Sequence, residues 1–179
     1  LALPPYLGNL VIVAAQDASL SEAYRVCRPE GGMLYALHGA DKARLMAAGA
    51  SAPEIRSTAV PAQIVRGKLP GAGEWTHQYS DAAKTACSTD QRARLPLQML
   101  WFGEPGPERL VNRHWRASSP VAADGRVFVG GQDQVIASDA YNGRELWSWE
   151  LPKVGRQSVH AYGGNLAVAG DSLYVVSGD

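Results

Sequence analysis

Asp124-Gly125-Arg126-Val127-Phe128-Val129-Gly130-Gly131-Gln132-Asp133-Gln134-Val135-Ile136-Ala137-Ser138-Asp139-Ala140-Tyr141-Asn142-Gly143-Arg144-Glu145-Leu146-Trp147 is the stretch that decides the fold of this chain. Short β-branched and apolar runs, Arg126–Gly130 and Val135–Asp139, are separated by turn residues. Asp124-Gly125, Gln132-Asp133 and Tyr141-Asn142-Gly143 are the turns, and Asn-Gly readily adopts the positive φ angles a tight hairpin requires. A strand over Ser119–Ala123 precedes the first turn, and one over Arg144–Leu151, carrying Trp147 and Trp149, follows the last. The pattern predicts four antiparallel strands in about 33 residues, each joined to the next by a hairpin.

The same pattern recurs. Leu100-Trp101 returns as Leu146-Trp147, and Val127-Phe128-Val129 returns as Leu173-Tyr174-Val175, both 46 positions on. Two separate patterns sharing one period of roughly 40–50 residues indicate the blades of a β-propeller, each a four-stranded sheet. A second unit opens near Asn165. The 24 residues from Asp124 to Trp147 resemble the repeat of the pyrroloquinoline-quinone-type (PQQ-type) propeller family, "D-G-x-V-Y-V-G-x-x-D-G-x-L-x-A-L-D-x-x-T-G-x-x-x-W". Gln134 replaces the second turn glycine, and Tyr141-Asn142 replaces the usual polar-Thr pair. The resemblance implies that Trp101 and Trp147 dock against a neighbouring blade through the indole and the turn backbone. Residues 91–179 are read as propeller repeats: about one complete blade with partial neighbours.

Upstream, Leu69-Pro70-Gly71-Ala72-Gly73 is a cluster of breakers and marks a boundary. The segment 70–90 reads as linker and lead-in. Its Trp75, Asp81 and Thr85 resemble the "W-x-x-x-x-x-D-x-x-x-T" segment that leads into PQQ-type propellers.

Before the boundary the pattern changes. Asn9–Ala15 is a continuous apolar run, which predicts a strand buried on both faces of a parallel sheet. Ser19 or Ser21 caps a helix over Leu20–Cys27, whose Leu20, Ala23, Tyr24 and Cys27 form one apolar stripe. Met33–Leu37 is a second strand, so the unit reads as strand, helix, parallel strand. A shorter helix over Asp41–Ala48 and a hairpin of Glu54–Ala59 and Ala62–Lys68 follow. Leu20 to Leu34, with Arg25-Val26-Cys27-Arg28-Pro29-Glu30-Gly31-Gly32, resembles the "L-x-E-x-x-R-V-L-x-P-G-G" segment of class I S-adenosylmethionine-dependent methyltransferases, with Glu30 inserted. Arg44–Gly49 is similar to that family's "L-L-x-x-A-G" helix end. The resemblance implies that residues 1–69 are the C-terminal part of a Rossmann-like α/β domain whose Gly-rich cofactor loop belongs upstream. Both chain ends read as those of a piece of a longer polypeptide. The fold class is therefore mixed: a partial α/β unit followed by all-β propeller blades.

Composition narrows the function. The 179 residues carry no net charge, which argues against a nucleic-acid surface. No apolar stretch approaches the roughly 18 residues of a membrane span. Cys27 and Cys87 lie far apart, and His77, His114 and His160 share no ligand spacing, so neither a disulfide framework nor a metal site is expected. Asn112-Arg113-His114 precedes a strand and is the candidate ligand-facing loop. The resemblances imply two cofactors for a full-length protein, S-adenosylmethionine or PQQ. In PQQ-binding relatives the quinone sits on the propeller axis beside a metal held by Glu, Asn and Asp from several blades; here at most two blades are represented. No catalytic residue is legible, and neither cofactor is expected to bind these residues. Three functions stand: a propeller that binds or scaffolds protein partners behind a methyltransferase-like domain, a quinoprotein oxidoreductase, or a methyltransferase whose propeller recruits substrate. The first is preferred. The bacterial envelope is favoured over the cytoplasm.

Overall fold

The computed structural model describes residues 3–103, 105–111, 118–154 and 165–177. The chain divides into two compact units, Leu1–Pro70 and Gly71–Asp179.

The first unit is a small α/β structure. Its strands are β1 (Leu10–Val13), β2 (Met33–Ala36), β3 (Ile55–Ser57) and β4 (Ala62–Val65), in the sheet order β1-β2-β4-β3. β1 and β2 run parallel with Leu10 opposite Met33, and helix α1 (Leu20–Val26) makes the crossover. β4 runs antiparallel to both its neighbours. Ser19 caps α1 by accepting from the Glu22 amide, and Asp41 caps α2 (Lys42–Ala47) by accepting from Arg44. Each cap satisfies a backbone donor that the helix start leaves open. Val13, Cys27, Leu34, Ala36, Leu45, Ala62 and Ile64 form the core between the helices and one sheet face.

One expectation is overturned here. β1 was read as buried on both faces, yet Leu10 and Ile12 are more than half exposed. The run Leu-Val-Ile-Val has no polar alternation to reveal this. Only Val11 and Val13 face the helices; Leu10 and Ile12 lie on the other, more open side.

A buried polar latch joins the hairpin to α1. Glu54 accepts from the amides of Ser51 (2.6 Å) and Gly67 (2.7 Å), from the Ser51 hydroxyl and from Tyr24 Oη. Arg66, buried, lies 4.3 Å over the Tyr24 ring and donates to the carbonyls of Tyr24 and Cys27. Burial would raise the Glu54 pKa, but the four donors outweigh it and hold the carboxyl below its usual range.

The second unit is antiparallel throughout its described strands. β5 (Val121–Ala123), β6 (Arg126–Gly131), β7 (Gln134–Asp139) and β8 (Glu145–Glu150) form one sheet in sequence order. β9 (Leu166–Ala169) and β10 (Ser172–Val175) form a hairpin. Asp124-Gly125 turns between β5 and β6, both at positive φ. No helix longer than a single turn occurs among the described residues of this unit.

The 46-residue period is a structural period. Val121 pairs with Phe128 in the four-stranded sheet, and Ala167 pairs with Tyr174 in the hairpin, each residue 46 positions after its counterpart. Phe128 is buried in one cluster with Val121, Ala137, Leu166 and Val168, facing the following hairpin. In that hairpin Leu173 and Val175 pack back on the same cluster, so Tyr174 points the other way, onward along the repeat. Phe128 and Tyr174 therefore occupy the same side of their units, as a true repeat demands; a slip of one residue would invert one of them.

Candidate functional site

Asp139 builds the turn at the end of β7. Its Oδ1 accepts from the amide of Tyr141 (2.9 Å), and its carbonyl accepts from the Gly143 amide (3.0 Å). Gly143 has φ +74°, which a residue without Cβ adopts cheaply. The turn is the dock for Trp101. The indole Nε1 donates to the Ala140 carbonyl at 2.9 Å, and the ring lies so close to Gly143 that a Cβ there would overlap Cε3. One tryptophan is thus held by one backbone acceptor and one glycine, the two features the turn supplies.

Trp147, the counterpart of Trp101, stands differently. It contacts Phe128 with ring centroids 5.9 Å apart, yet it is 40% exposed. β8 is the last strand of its sheet, and no described residue takes the place that Gly143 takes for Trp101. Asn112, Arg113 and His114, the candidate ligand-facing loop, lie outside the described residues, as does His160.

The lead-in does more than its sequence reveals. Trp75 and Ala122 exchange both backbone hydrogen bonds at 2.8 Å, and the Thr76 carbonyl accepts from the Val168 amide at 2.9 Å. Two residues therefore join β5 to β9, the first strands of successive units. No local pattern predicts a pairing over so long a separation. Asp81 then closes a short loop by accepting from the Thr85 amide (3.1 Å) and hydroxyl (2.6 Å), contacts that lower its pKa. Arg109 is another residue that sequence reading passed over: its guanidinium pairs with Glu145 at 2.5 Å and donates to Gln134 at 3.1 Å. An isolated Arg gives no signal of a partner 36 residues away.

Between the lead-in and the hairpin lies a cleft of about 380 Å³, with His77, Asp81 and Lys84 on one wall and Leu166, Tyr174 and Val176 on the other. Its volume would admit a small ligand. His77 Nδ1 is engaged with Thr76 Oγ1 and Asp81 with Thr85, while Asn165, also in the lining, donates its Nδ2 to the Val154 carbonyl and leaves its buried Oδ1 without a partner among the described residues. In the α/β unit, a crevice of about 40 Å³ lies past the ends of β1 and β2, beside His38 and Arg44. Ends of parallel strands are where such sheets receive ligands, but this space holds about one water. No group of three His, Cys, Asp or Glu among the described residues could hold a metal ion. No described helix is long and apolar enough to cross a membrane.

No curated protein and no solved structure matches the chain significantly. A family model does: the one described as "Outer membrane protein assembly factor BamB", a PQQ-type repeat family, matches residues 71–179. That span contains the lead-in, the complete four-stranded unit with its Trp101 dock, and the hairpin that repeats it 46 residues on. The chain belongs to the BamB-type PQQ-repeat family.

Proposed function

We propose that the propeller repeats act as a protein-binding scaffold of the bacterial envelope, carried behind a methyltransferase-like α/β unit. The observation that carries the reading is the family match over residues 71–179, whose printed description is that of an outer-membrane assembly factor. The site geometry agrees with it. Trp101, Asp139 and Gly143 are spent on packing unit against unit, and the cleft's His77 and Asp81 are engaged locally instead of converging on a ligand. In this reading Trp101 and Trp147 are blade-docking residues, with Trp101 docked on the Ala140–Gly143 turn.

The methyltransferase-like reading of the first unit is supported by its order of elements. Parallel β1 and β2, joined by α1 and followed by an antiparallel pair, are the closing elements that the resemblance implies. The Arg25–Gly32 turn serves packing there: the Glu30 and Gly31 amides donate to the carbonyls of Gly67 and Arg66.

Isothermal titration of the chain with S-adenosylmethionine, and with PQQ in the presence of calcium, tests the proposal. The expected result is no saturable heat from either at micromolar concentration. A pocket must bury most of a cofactor's surface, and neither the crevice nor the open cleft does. Saturable binding of PQQ would replace the scaffold by a quinoprotein oxidoreductase. Saturable binding of S-adenosylmethionine would replace it by a methyltransferase with a recruiting propeller.

A further inference from the structure

Asn142-Gly143 is the only Asn-Gly pair in the chain, and it lies in the turn that receives Trp101. The repeat that this stretch resembles has a threonine where this chain has Asn142. The substitution brings a chemistry of its own. The backbone nitrogen that follows an asparagine is one ring closure away from the side-chain carboxamide carbon. A glycine at that place puts no side chain in the way and leaves the backbone free to turn.

The turn prepares the closure and also restrains it. Asn142 Oδ1 accepts from the Arg144 amide at 3.1 Å, which folds the carboxamide forward along the chain and polarises its carbonyl. A donor on that oxygen is what negative charge developing there requires. The nucleophile is the restrained partner: the Gly143 N–H is pinned to the Asp139 carbonyl at 3.0 Å. Trp101 holds this arrangement shut, with its indole Nε1 on the Ala140 carbonyl and its ring against Gly143.

We infer that Asn142 is a site of spontaneous deamidation gated by the docking of Trp101, and that the isoaspartyl product releases the dock. The Gly143 nitrogen gives its proton to hydroxide and bonds to Asn142 Cγ. The carboxamide C–N bond breaks, and ammonia leaves with a proton taken from water. Water then opens the succinimide at either carbonyl. One opening gives aspartate at 142. The other gives isoaspartate, in which the main chain runs through the side-chain carbons and is one methylene longer. That extra length moves Gly143 away from both the Trp101 ring and the Asp139 carbonyl. The contact between this turn and Trp101 therefore has a chemical lifetime. The inference rests on the turn alone, so it and the cofactor titrations can fail independently.

The test incubates the whole chain in mildly alkaline buffer and samples it by digestion with trypsin. The peptide 127–144 contains Asn142 as its one asparagine. Its mass rises as the carboxamide NH2 is replaced by OH, and it separates into aspartyl and isoaspartyl forms. Isomerisation at Asp124-Gly125 changes no mass and falls in a different peptide. Trp101→Phe keeps a ring beside Gly143 and loses its hydrogen bond. It converts about fivefold faster, which corresponds to about 1 kcal/mol of easier opening. In the isoaspartyl chain the hydrogen-bonded indole N–H resonance of Trp101 is lost. Asn142→Asp retains that resonance, because a charge alone does not lengthen the chain. Asn142→Thr retains it and gains no mass. Absence of conversion in the native chain, while the urea-unfolded chain converts, overturns the inference. Equal rates in the native chain and Trp101→Phe overturn the gating, and a docked indole resonance in the isoaspartyl chain overturns the release.

Discussion

Gly143 is the residue on which the repeat contact turns. Replacing it by Ala forces a side chain into left-handed backbone, costing about 1 kcal/mol, and drives a methyl into the Trp101 ring. Gly143→Ala is expected to lose about 3 kcal/mol of stability and the Trp101 Nε1–Ala140 hydrogen bond. Urea melting reads the first, and the indole N–H resonance of Trp101 reads the second. An unchanged melt with the indole still bonded would remove the dock from the account. The two cysteines offer a second check at this scale. Cys27 is fully buried, and burial pushes its thiol up to about 11, whereas Cys87 is exposed. Reaction with a thiol reagent near neutral pH should release one equivalent quickly, from Cys87, and the second only in denaturant. Two fast equivalents would mean that the α/β core opens readily.

Among the elements, the turns and strands of the four-stranded unit were legible because they are local. Asp124-Gly125 and Gly143 announce their positive φ angles, Asn142 takes no such angle, and the strand bounds fall within two residues of those observed. The repeat of Phe128 as Tyr174 was legible because a period survives when pairing partners are unknown. What stayed hidden was non-local. The burial of β1 was misread, since its exposed face is as apolar as its buried one. Trp75 looked like a motif residue and is a bridge to Ala122. Glu54, read as the start of a strand, is a latch whose carboxylate gathers donors from Tyr24, Ser51 and Gly67. That latch makes a pH prediction. A carboxyl whose folded pKa is depressed contributes stability above the ordinary value of 4.5, and that contribution is lost as pH falls through the lower folded value. Exchange protection of the Ser51 and Gly67 amides should therefore decline below about pH 4.5 in the native chain. Glu54→Gln should lower that protection by about 2 kcal/mol at neutral pH and flatten its acid dependence. A variant that kept the native protection and slope would show that the carboxylate charge is idle there.

The whole molecule consists of two units built on different patterns, one α/β and one of antiparallel strands. The α/β unit exposes Leu10 and Ile12 on one face of its parallel pair, and the second unit exposes Leu95, Leu97, Met99 and Phe102. Residues 121–150 and 166–175 are successive repeats packed face to face at a 46-residue period. Nuclear Overhauser contacts of two rings test it most directly. Cross-peaks are expected from the Phe128 ring to the methyl groups of Leu166 and Val168, and none from the Tyr174 ring to β5 or β6. Contacts from Tyr174 into the Phe128 cluster, with Phe128 pointing to the opposite face, would contradict it.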